Sequence, residues 1–325
     1  MSSHLPTFDL GTASAIMAAG RQVADVLCDR WTLLILLSAH AGDTCFSDFR
    51  DRWGISNRML SSRLKALESQ GLMVKMVYSR RPIRHSYHLT PKGTALFDVL
   101  ICMINWEASA DGGKSDQLVR IEHLGCSHGA IHPSIHCSAC NEPVTASNVD
   151  FTINNSAQQE LPQWGTAYRR SEPRSSTGPS THPHPLEIVL SIYGNKWSNE
   201  IVRCAFLRVS TFGEIQRHTG ISTNILADRL TRLVDAGIFR QESSKSDGRS
   251  SNYKLTARGR GLFSIILAMW AWADRWIEER IHAPLRLTHQ DCGKTFHVIS
   301  RCNQCSDILK PSNSRIVLSS LDEAH

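Results

Sequence analysis

The chain has 325 residues, of which 41% are hydrophobic, and its formal net charge is +6. This length accommodates two or three domains with cores of their own, so the ten cysteines do not indicate a small secreted fold that depends on disulfides. The longest apolar run, Leu262 to Ala273, is shorter than the ~20 residues of a membrane span, and the N-terminus lacks a signal-peptide pattern, so we expect a soluble, cytoplasmic protein.

The first predicted elements are two helices that bury aromatic rings. Val26 to Ser38 is a nearly continuous apolar run around Trp31, and its length favours a buried helix over a strand. After the loop at 41–43, Phe46, Phe49 and Trp53 recur at three- and four-residue spacing. This spacing places the three rings on one face of a short second helix.

A third helix is predicted after the turn Gly54-Ile55. Ser56 is suited to cap its N-terminus, and the helix runs to about Gln70, where Gly71 ends it. Two short helices joined by such a turn form a helix-turn-helix. The third helix carries short donors and cations that suit phosphates and base edges, although a merely solvated face is the alternative. The candidate DNA contacts on it are Asn57, Arg58, Ser61, Ser62, Arg63 and Lys65.

A hairpin with a basic tip is predicted next, which is typical of the winged form of the motif. Leu72 to Tyr78 and His85 to Leu89 have the composition of strands, and the loop between them is rich in arginine. Thr90-Pro91 then opens a last helix that is apolar on more than one face as far as Trp106, so we expect it to pack against a partner. The candidate phosphate contacts of the hairpin are Arg80, Arg81 and Arg84.

The same elements return 166 positions later. An offset that is held over some ninety residues by turn glycines and core residues together indicates a domain duplication. The segments 20–110 and 184–282 each carry a net charge of +4, so most of the basic excess lies in the two copies. The matched pairs include Trp31 and Trp197, Phe46 and Phe212, Gly54 and Gly220, Arg63 and Arg229, Tyr87 and Tyr253, Gly93 and Gly259, and Trp106 and Trp272.

The presumed DNA-binding face of the second copy has fewer cations. Asp228 stands where the first copy has Ser62, and Thr231 stands where it has Lys65. If both copies bind DNA, they are expected to read different half-sites; the alternative is that the second copy serves dimerisation or support. The candidate DNA contacts of the second copy are Thr223, Asn224, Arg229, Lys245 and Arg249.

Each copy is followed by a His-x2-Cys pair and then a Cys-x2-Cys pair. Four such ligands match the Cys3His set of a closed, structural zinc site, so we expect one zinc ion after each copy. A thiol redox switch is the alternative, and His128, His132, His136 or His297 are alternatives to the two histidines. The candidate metal ligands are His123, Cys126, Cys137 and Cys140 in the first set and His289, Cys292, Cys302 and Cys305 in the second.

These patterns predict a mainly α fold with small β wings (α+β). The tandem winged helix-turn-helix domains are each followed by a small Cys-rich, zinc-ribbon-like element. Six of the twelve prolines lie between 141 and 185, which favours a flexible linker. The expected divisions are a winged domain at 20–115, a ribbon at 120–155, a linker at 156–185, a winged domain at 186–281 and a ribbon at 285–318.

One ordered set of motifs characterises the repeat. In the first copy it consists of Trp31-Thr-Leu-Leu, Phe46-x2-Phe49, Gly54-Ile55-Ser56, Leu60-x2-Arg63-Leu64-x2-Leu67-x3-Gly71-Leu72 and Pro82-x4-Tyr87-x-Leu89-Thr90-x2-Gly93. With these motifs the chain resembles the HxlR-type winged helix-turn-helix of prokaryotic transcription regulators over roughly 90 residues in each copy, more than half of the chain. The second copy lacks the proline and an aligned arginine of the wing. The resemblance implies a bacterial, DNA-binding regulator whose terminal helices pair, either within this chain or in a homodimer, and we expect it to read a two-part operator in double-stranded DNA.

Two other functional classes are weighed against this one. A protein-interaction module is the main alternative, because winged helices and ribbons also bind proteins. An enzyme is not expected, because the sequence has no paired carboxylates, nucleophile elbow, phosphate loop or open metal site. No effector pocket is evident from the sequence.

Overall fold

The structure is a computed structural model, and it describes residues 23–127, 129–153, 186–243, 251–277 and 285–319. The expected linker at 156–185 lies outside the described residues, as do His128 and two candidate DNA contacts of the second wing, Lys245 and Arg249. None of the described helices combines the length and the apolar character that crossing a membrane requires.

The first winged domain has three helices before its wing, and the second and third of them form the helix-turn-helix. Asp29 has an extended backbone, and its carboxylate accepts a hydrogen bond from the Thr32 N–H at 2.8 Å, so a helix begins at Arg30. This cap divides the apolar run that was predicted as one helix, and residues 23–27 form a separate helical segment. Ser56 caps the third helix, as predicted. The helices are α1 (Arg30–Ala41), α2 (Phe46–Trp53) and α3 (Asn57–Ser69).

The wing is longer than predicted, because its strands extend into the arginine-rich segment. Strands β1 (Met73–Arg80) and β2 (Ile83–Leu89) pair in antiparallel fashion, with Arg80 opposite Ile83 at the tip. The Thr90 hydroxyl accepts a hydrogen bond from the backbone N–H of Gly93 and caps the short helix that follows. The two helices after the wing are α4 (Pro91–Thr94) and α5 (Phe97–Asp111).

The second winged domain repeats this architecture. The inner face of its third helix buries Leu226, Leu230 and Leu233, which are the counterparts of buried leucines in α3. Its elements are α6 (Glu187–Tyr193), α7 (Lys196–Phe206), α8 (Phe212–Thr219), α9 (Thr223–Asp235), β6 (Phe239–Ser243), β7 (Ser251–Leu255), α10 (Ala257–Gly261) and α11 (Phe263–Trp276).

The two winged domains pack against each other through equivalent surfaces that include α5 and α11. The indole Nε1 of Trp106 donates to the carbonyl oxygen of Arg258 at 3.1 Å, and that of Trp272 donates to the carbonyl oxygen of Lys92 at 3.0 Å. The two donors are related by the 166-residue offset, and so are the two acceptors. The contacts are therefore reciprocal, as they are across the axis of a twofold-symmetric dimer.

The segments that follow the winged domains pair with each other. Their strands are β3 (Val119–His123), β4 (Ser134–Cys137), β5 (Val149–Ile153), β8 (Leu285–His289), β9 (Lys294–Thr295), β10 (Val298–Arg301) and β11 (Ser314–Leu318). Strand β3 pairs with β11, β4 with β10 and β5 with β8, and each pair takes one strand from each segment. Ile135 of β4 lies opposite Ser300 of β10, its counterpart at the 165-residue offset of this region.

This pairing differs from the two self-contained ribbons expected at 120–155 and 285–318. Strand β5 lies within the bounds expected for the first ribbon, but it pairs with β8, which lies within those of the second. Strand backbones need hydrogen-bond partners, and the symmetric packing of α5 and α11 brings the two segments together so that each supplies the other's partners. We call the described parts of these segments, residues 119–153 and 285–318, the first tail and the second tail.

Candidate DNA interface and metal centres

The outward face of α3 is exposed and carries two cations. Among the described residues, neither Arg58 nor Lys65 forms an ion pair or a side-chain hydrogen bond. Both charges are therefore available to an external anion. The exposed side chains of this face are those of Asn57, Arg58, Ser61, Ser62 and Lys65.

The first wing adds three more exposed cations. Arg80, Arg81 and Arg84 surround the hairpin tip, and none of them forms an ion pair with a described residue. The wing also exposes apolar side chains that the sequence analysis did not single out, although their period-2 spacing along β1 could have revealed them. Val74, Met76 and Tyr78 are 45%, 53% and 54% exposed, respectively.

Arg63 lies on a different side of α3 from the other candidate contacts. Its guanidinium forms an ion pair with Asp29, with an Nε–Oδ2 distance of 2.8 Å, and both side chains are partly buried. Arg63 therefore connects α3 to the N-terminus of α1. Its counterpart Arg229 is also partly buried and lies 3.8 Å from Asp228.

The described cations of α9 and of the second hairpin are paired with neighbouring acids. On α9, the Arg232 Nε donates to both carboxylate oxygens of Asp228, at 3.1 and 3.0 Å. On the second hairpin, Glu242 pairs with Arg240 at 2.8 Å and with Lys254 at 2.6 Å. Thr223 and Asn224 are exposed on α9, so this face is polar rather than strongly cationic.

The structure groups the eight candidate metal ligands into two clusters, but not into the two contiguous sets that their spacing suggested. Each cluster combines the His-x2-Cys pair of one tail with the Cys-x2-Cys pair of the other. Sequence spacing alone does not distinguish the two groupings, because both give three thiols and one imidazole. Cluster A contains His123, Cys126, Cys302 and Cys305, and cluster B contains Cys137, Cys140, His289 and Cys292.

The geometry of both clusters is compact and nearly equivalent. The four ligand atoms of each cluster lie within 4.8 Å of one another. The Cys305 sulfur lies 3.3 Å from Nδ1 of His123, and the Cys140 sulfur lies 3.1 Å from Nδ1 of His289. These distances show that Nδ1 is the atom that each imidazole presents to its cluster, and both imidazoles are buried.

Backbone groups and a carboxylate surround these ligands. The N–H of Ala139 donates to the sulfur of Cys137 at 3.3 Å, and the N–H of Gln304 donates to that of Cys302 at 3.4 Å. In cluster B, a carboxylate oxygen of Asp291 lies 3.1 Å from Nε2 of His289, although the two atoms do not form a hydrogen bond.

The pKa values of the cysteines shift in both directions within each cluster. The backbone N–H of Lys294 lowers the pKa of Cys292 to about 7, and backbone N–H groups of the Cys-x2-Cys turn outweigh burial to lower the pKa of Cys302. At Cys140 and Cys305, burial and the neighbouring cysteines outweigh a backbone hydrogen bond and raise the pKa. The suitability of the clusters for a metal ion follows from the ligand set and its compactness, and binding would require the thiolate form.

A comparison with known families identifies both winged domains. The HxlR-like helix-turn-helix family model matches residues 26–112 and 192–281, which together are more than half of the chain. The chain belongs to the HxlR-like helix-turn-helix family. This finding confirms the resemblance predicted from the sequence, in two tandem copies.

Relatives of this HxlR-like chain come from several bacteria. Mb3122 of Mycobacterium bovis is 32% identical over 124 residues, which are 38% of this chain and 78% of the relative. YtfH of Escherichia coli is 32% identical over 97 residues, or 30% of this chain and 77% of YtfH. YvaP of Bacillus subtilis is 36% identical over 86 residues, or 26% of this chain and 80% of YvaP. All three are named uncharacterized HTH-type transcriptional regulators.

Proposed function

We propose that the chain is a sequence-specific transcriptional regulator that reads a two-part site in double-stranded DNA with its two HxlR-like domains. Membership of a helix-turn-helix family and the names of the relatives support this class of function. The observation that carries the proposal is the outward face of α3, where exposed cations and short hydrogen-bonding side chains occur together and have no side-chain partner among the described residues.

In this proposal, α3 lies in the major groove and the first wing lies along the flanking backbone. The Arg58 guanidinium suits the two acceptors on the edge of a guanine, and the serine hydroxyls suit other base edges. Lys65 and the three wing arginines contact phosphates, which supply affinity and register but no direct sequence information. Arg63 contributes indirectly, because its ion pair with Asp29 holds α3 on the domain core.

The second domain reads a different half-site and binds the DNA phosphates more weakly than the first. Asp228 and Asn224 are exposed on α9, where a carboxylate accepts from the cytosine amino group and an amide pairs with adenine. The neighbouring cations are already paired with acids, so they contribute less to phosphate binding. The reciprocal Trp106 and Trp272 contacts support an arrangement in which one polypeptide supplies both halves of the reader.

We also propose that each Cys/His cluster holds one structural zinc ion. Tetrahedral zinc with bonds of ~2.3 Å to sulfur requires ligand atoms about 3.8 Å apart, and the observed clusters are close to that size. Three thiolates and one imidazole also match the preference of zinc for soft and borderline ligands. With four protein ligands, the site has no open position for catalysis.

The experiment that tests this function is selection of binding sites from random duplex DNA with the purified, zinc-loaded chain at physiological salt. Enrichment of a two-part sequence is expected, with dissimilar halves. If no sequence is enriched while the protein is folded and retains its zinc, the proposal is wrong, and a protein-interaction module becomes the better interpretation.

A further inference from the structure

We propose that each Cys/His cluster binds a metal ion that cross-links the two halves of the chain, and we call such a cross-link a metal clasp. We further propose that metal occupancy controls whether both parts of a DNA site are bound at once. The control of DNA binding rests on the proposed function. The clasp itself rests only on the exchange of ligand pairs between the tails, so the two parts can be tested separately.

The exchange makes each cluster dependent on both tails. Cluster A needs His123 and Cys126 from the first tail and Cys302 and Cys305 from the second, and cluster B has the reciprocal composition. Neither cluster can reach four ligands within one tail. An ion in either cluster is therefore a cross-link between the two halves of the chain.

A series of contacts connects cluster A to α3, the proposed DNA-binding helix of the first domain. The imidazole of cluster A ends β3, which pairs with β11 of the second tail, and β11 packs on α1. Helix α1 contacts α3, and the Asp29 cap of α1 pairs with Arg63 of α3. The second tail thus supports the helix that is proposed to enter the major groove of the first half-site.

An equivalent series of contacts connects cluster B to α9 of the second domain. Strand β5 of the first tail pairs with β8, which ends at the histidine of cluster B. Phe151 of β5 makes an edge contact with Phe263 of α11, at 6.1 Å between ring centroids, and Phe263 contacts Phe206 of α7 at 5.7 Å. Helix α7 contacts α9, so each tail supports the DNA-binding helix of the opposite domain.

Additional contacts fix the second tail against the first half of the chain. The Ser300 hydroxyl donates to the Asp98 carboxylate of α5 at 2.8 Å, and the side-chain oxygen of Asn303 accepts from the backbone N–H of His132 at 3.0 Å. Loss of an ion leaves these contacts, but it removes the bonds that hold four ligands in one geometry. We therefore expect metal removal to loosen the relative position of α3 and α9 without unfolding either winged domain.

Pairs of serine substitutions distinguish the exchanged clusters from contiguous ones. With exchanged clusters, Cys126→Ser with Cys302→Ser damages only cluster A, so the chain retains one zinc ion. Cys126→Ser with Cys137→Ser damages both clusters and leaves none. Contiguous sites predict the reverse result for both pairs, and that result would overturn the proposal. The control variant His132→Ala with His136→Ala changes histidines outside both clusters and should retain two ions.

The same question can be asked of the unaltered chain, in case a serine variant fails to fold. A chelator is added in steps, and the thiols that become open to alkylation are identified by mass spectrometry. Cys126, Cys302 and Cys305 are expected to become reactive together, and Cys137, Cys140 and Cys292 together. Joint release of Cys126 with Cys137 and Cys140 would contradict the exchange.

The effect on DNA is tested by spin-labelled, non-canonical amino acids in place of Ser69 and Asp235, two exposed and equivalent positions at the ends of α3 and α9. The zinc-loaded chain should give one narrow distance distribution. The Cys126→Ser, Cys137→Ser variant should give a broad one and bind a two-part duplex at least tenfold more weakly, with near-normal affinity for the half-site of the first domain. An unchanged distribution and affinity would refute the control by metal.

Failure of the proposed function gives a different pattern from failure of the clasp. If the zinc-loaded, unaltered chain selects no DNA sequence, the DNA part is rejected, while the zinc stoichiometry and the distance distribution still decide whether the clasps exist. If the chain selects a site but the stoichiometry follows the contiguous grouping, the clasp is rejected and the regulator remains.

Discussion

At the residue scale, the two wings differ in whether their described cations are already paired with an acid. Arg80, Arg81 and Arg84 of the first wing have no acidic partner among the described residues, whereas Arg240 and Lys254 of the second hairpin share Glu242. An exposed ion pair contributes little to stability, but it reduces the charge available to a phosphate. The first wing should therefore contribute more to DNA affinity than the described part of the second.

Replacing the three wing arginines by alanine is expected to weaken binding to all DNA sequences alike. Each lost phosphate contact should reduce the dependence of log K on log salt by about 0.9, so a triple substitution should reduce it by up to about 2.7. Binding titrations at several salt concentrations measure this slope. The matched control is Arg240→Ala, whose slope should stay close to that of the unaltered chain. An unchanged slope in the triple variant would refute a phosphate role for the first wing.

Arg58 is expected to act on sequence preference instead. Loss of a paired contact to a guanine edge costs ~1–3 kcal/mol at one base pair, with little change elsewhere in the site. Site selection with Arg58→Ala should therefore lose the preference at one position of the first half-site. Lys65→Ala is the contrasting variant, because a lost phosphate contact lowers affinity for every sequence. Equal losses on all sequences for both variants would argue against base reading by Arg58.

At the element scale, the start of the helix after each wing depends on a close backbone approach. A Cβ atom added at Gly93 would lie 2.1 Å from the carbonyl oxygen of Leu72, and one added at Gly259 would lie 2.3 Å from that of Ile238. Both obstacles are backbone atoms, so no side-chain rotation relieves them. This explains why the two glycines recur at the 166-residue offset.

Gly93→Ala and Gly259→Ala are each expected to destabilise the fold, by the ~1–3 kcal/mol that is typical of overpacking. Thermal unfolding followed by circular dichroism measures the loss. Gly213→Ala is a suitable control, because nothing lies within 4 Å of the added Cβ and the residue is helical, so alanine should be neutral or slightly stabilising. Equal melting temperatures for all three variants would refute the steric argument.

Glu107 connects α5 of the first domain to α6 of the second. Its buried carboxylate accepts hydrogen bonds from the backbone N–H groups of Ile188 and Val189, at 2.9 and 2.7 Å. Glu107→Ala leaves both donors without this partner, at a cost of ~1–3 kcal/mol each. Chemical unfolding should show a clear loss for alanine and a smaller one for Glu107→Gln, which keeps one acceptor. A larger loss for glutamine than for alanine would contradict this role.

The predictable part of the fold was the part governed by local patterns. The helix-turn-helix and the hairpin follow from ring spacing, capping residues and turn glycines, all of which act within a few residues. The local misses concern the ends and divisions of elements: the wing strands are longer than predicted, and the last predicted helix is two helices, α4 and α5. The first apolar run is divided at Asp29, whose side chain caps α1 and pairs with Arg63 of α3. The sequence did not reveal this contact, because its partners are 34 residues apart.

At the scale of the whole molecule, the pairing of the tails was not predictable from spacing. The eight candidate ligands were proposed from the sequence, but their grouping in space depends on the symmetric packing of α5 and α11, which lies outside the motifs themselves. Because the tails are duplicated, each strand has two equivalent candidate partners, one in its own tail and one in the other tail. Which of the two it pairs with depends on proximity in the folded structure. In all three inter-tail pairs, the partner comes from the other tail.

The asymmetry between the proposed DNA-reading faces of α3 and α9 can be reduced by substitution. Asn224→Arg, Asp228→Ser and Thr231→Lys together give α9 the exposed residues that α3 has at the equivalent positions. The change removes a carboxylate that repels phosphates, adds two cations, and releases Arg232 from its ion pair. The two halves of the selected DNA site should then become more similar.

Competition between two duplexes measures this outcome. The first duplex carries the two halves selected by the unaltered chain, and the second carries two inverted copies of the half read by the first domain. We expect the triple variant to shift its preference toward the symmetric duplex by at least tenfold.

The reciprocal variant, Arg58→Asn with Ser62→Asp and Lys65→Thr, should lose affinity for both duplexes, because it removes the two unpaired cations of the α3 face. If the triple variant keeps the preference of the unaltered chain, α9 does not read DNA, and the second domain has a supporting role in which it positions the first through the shared helices and tails.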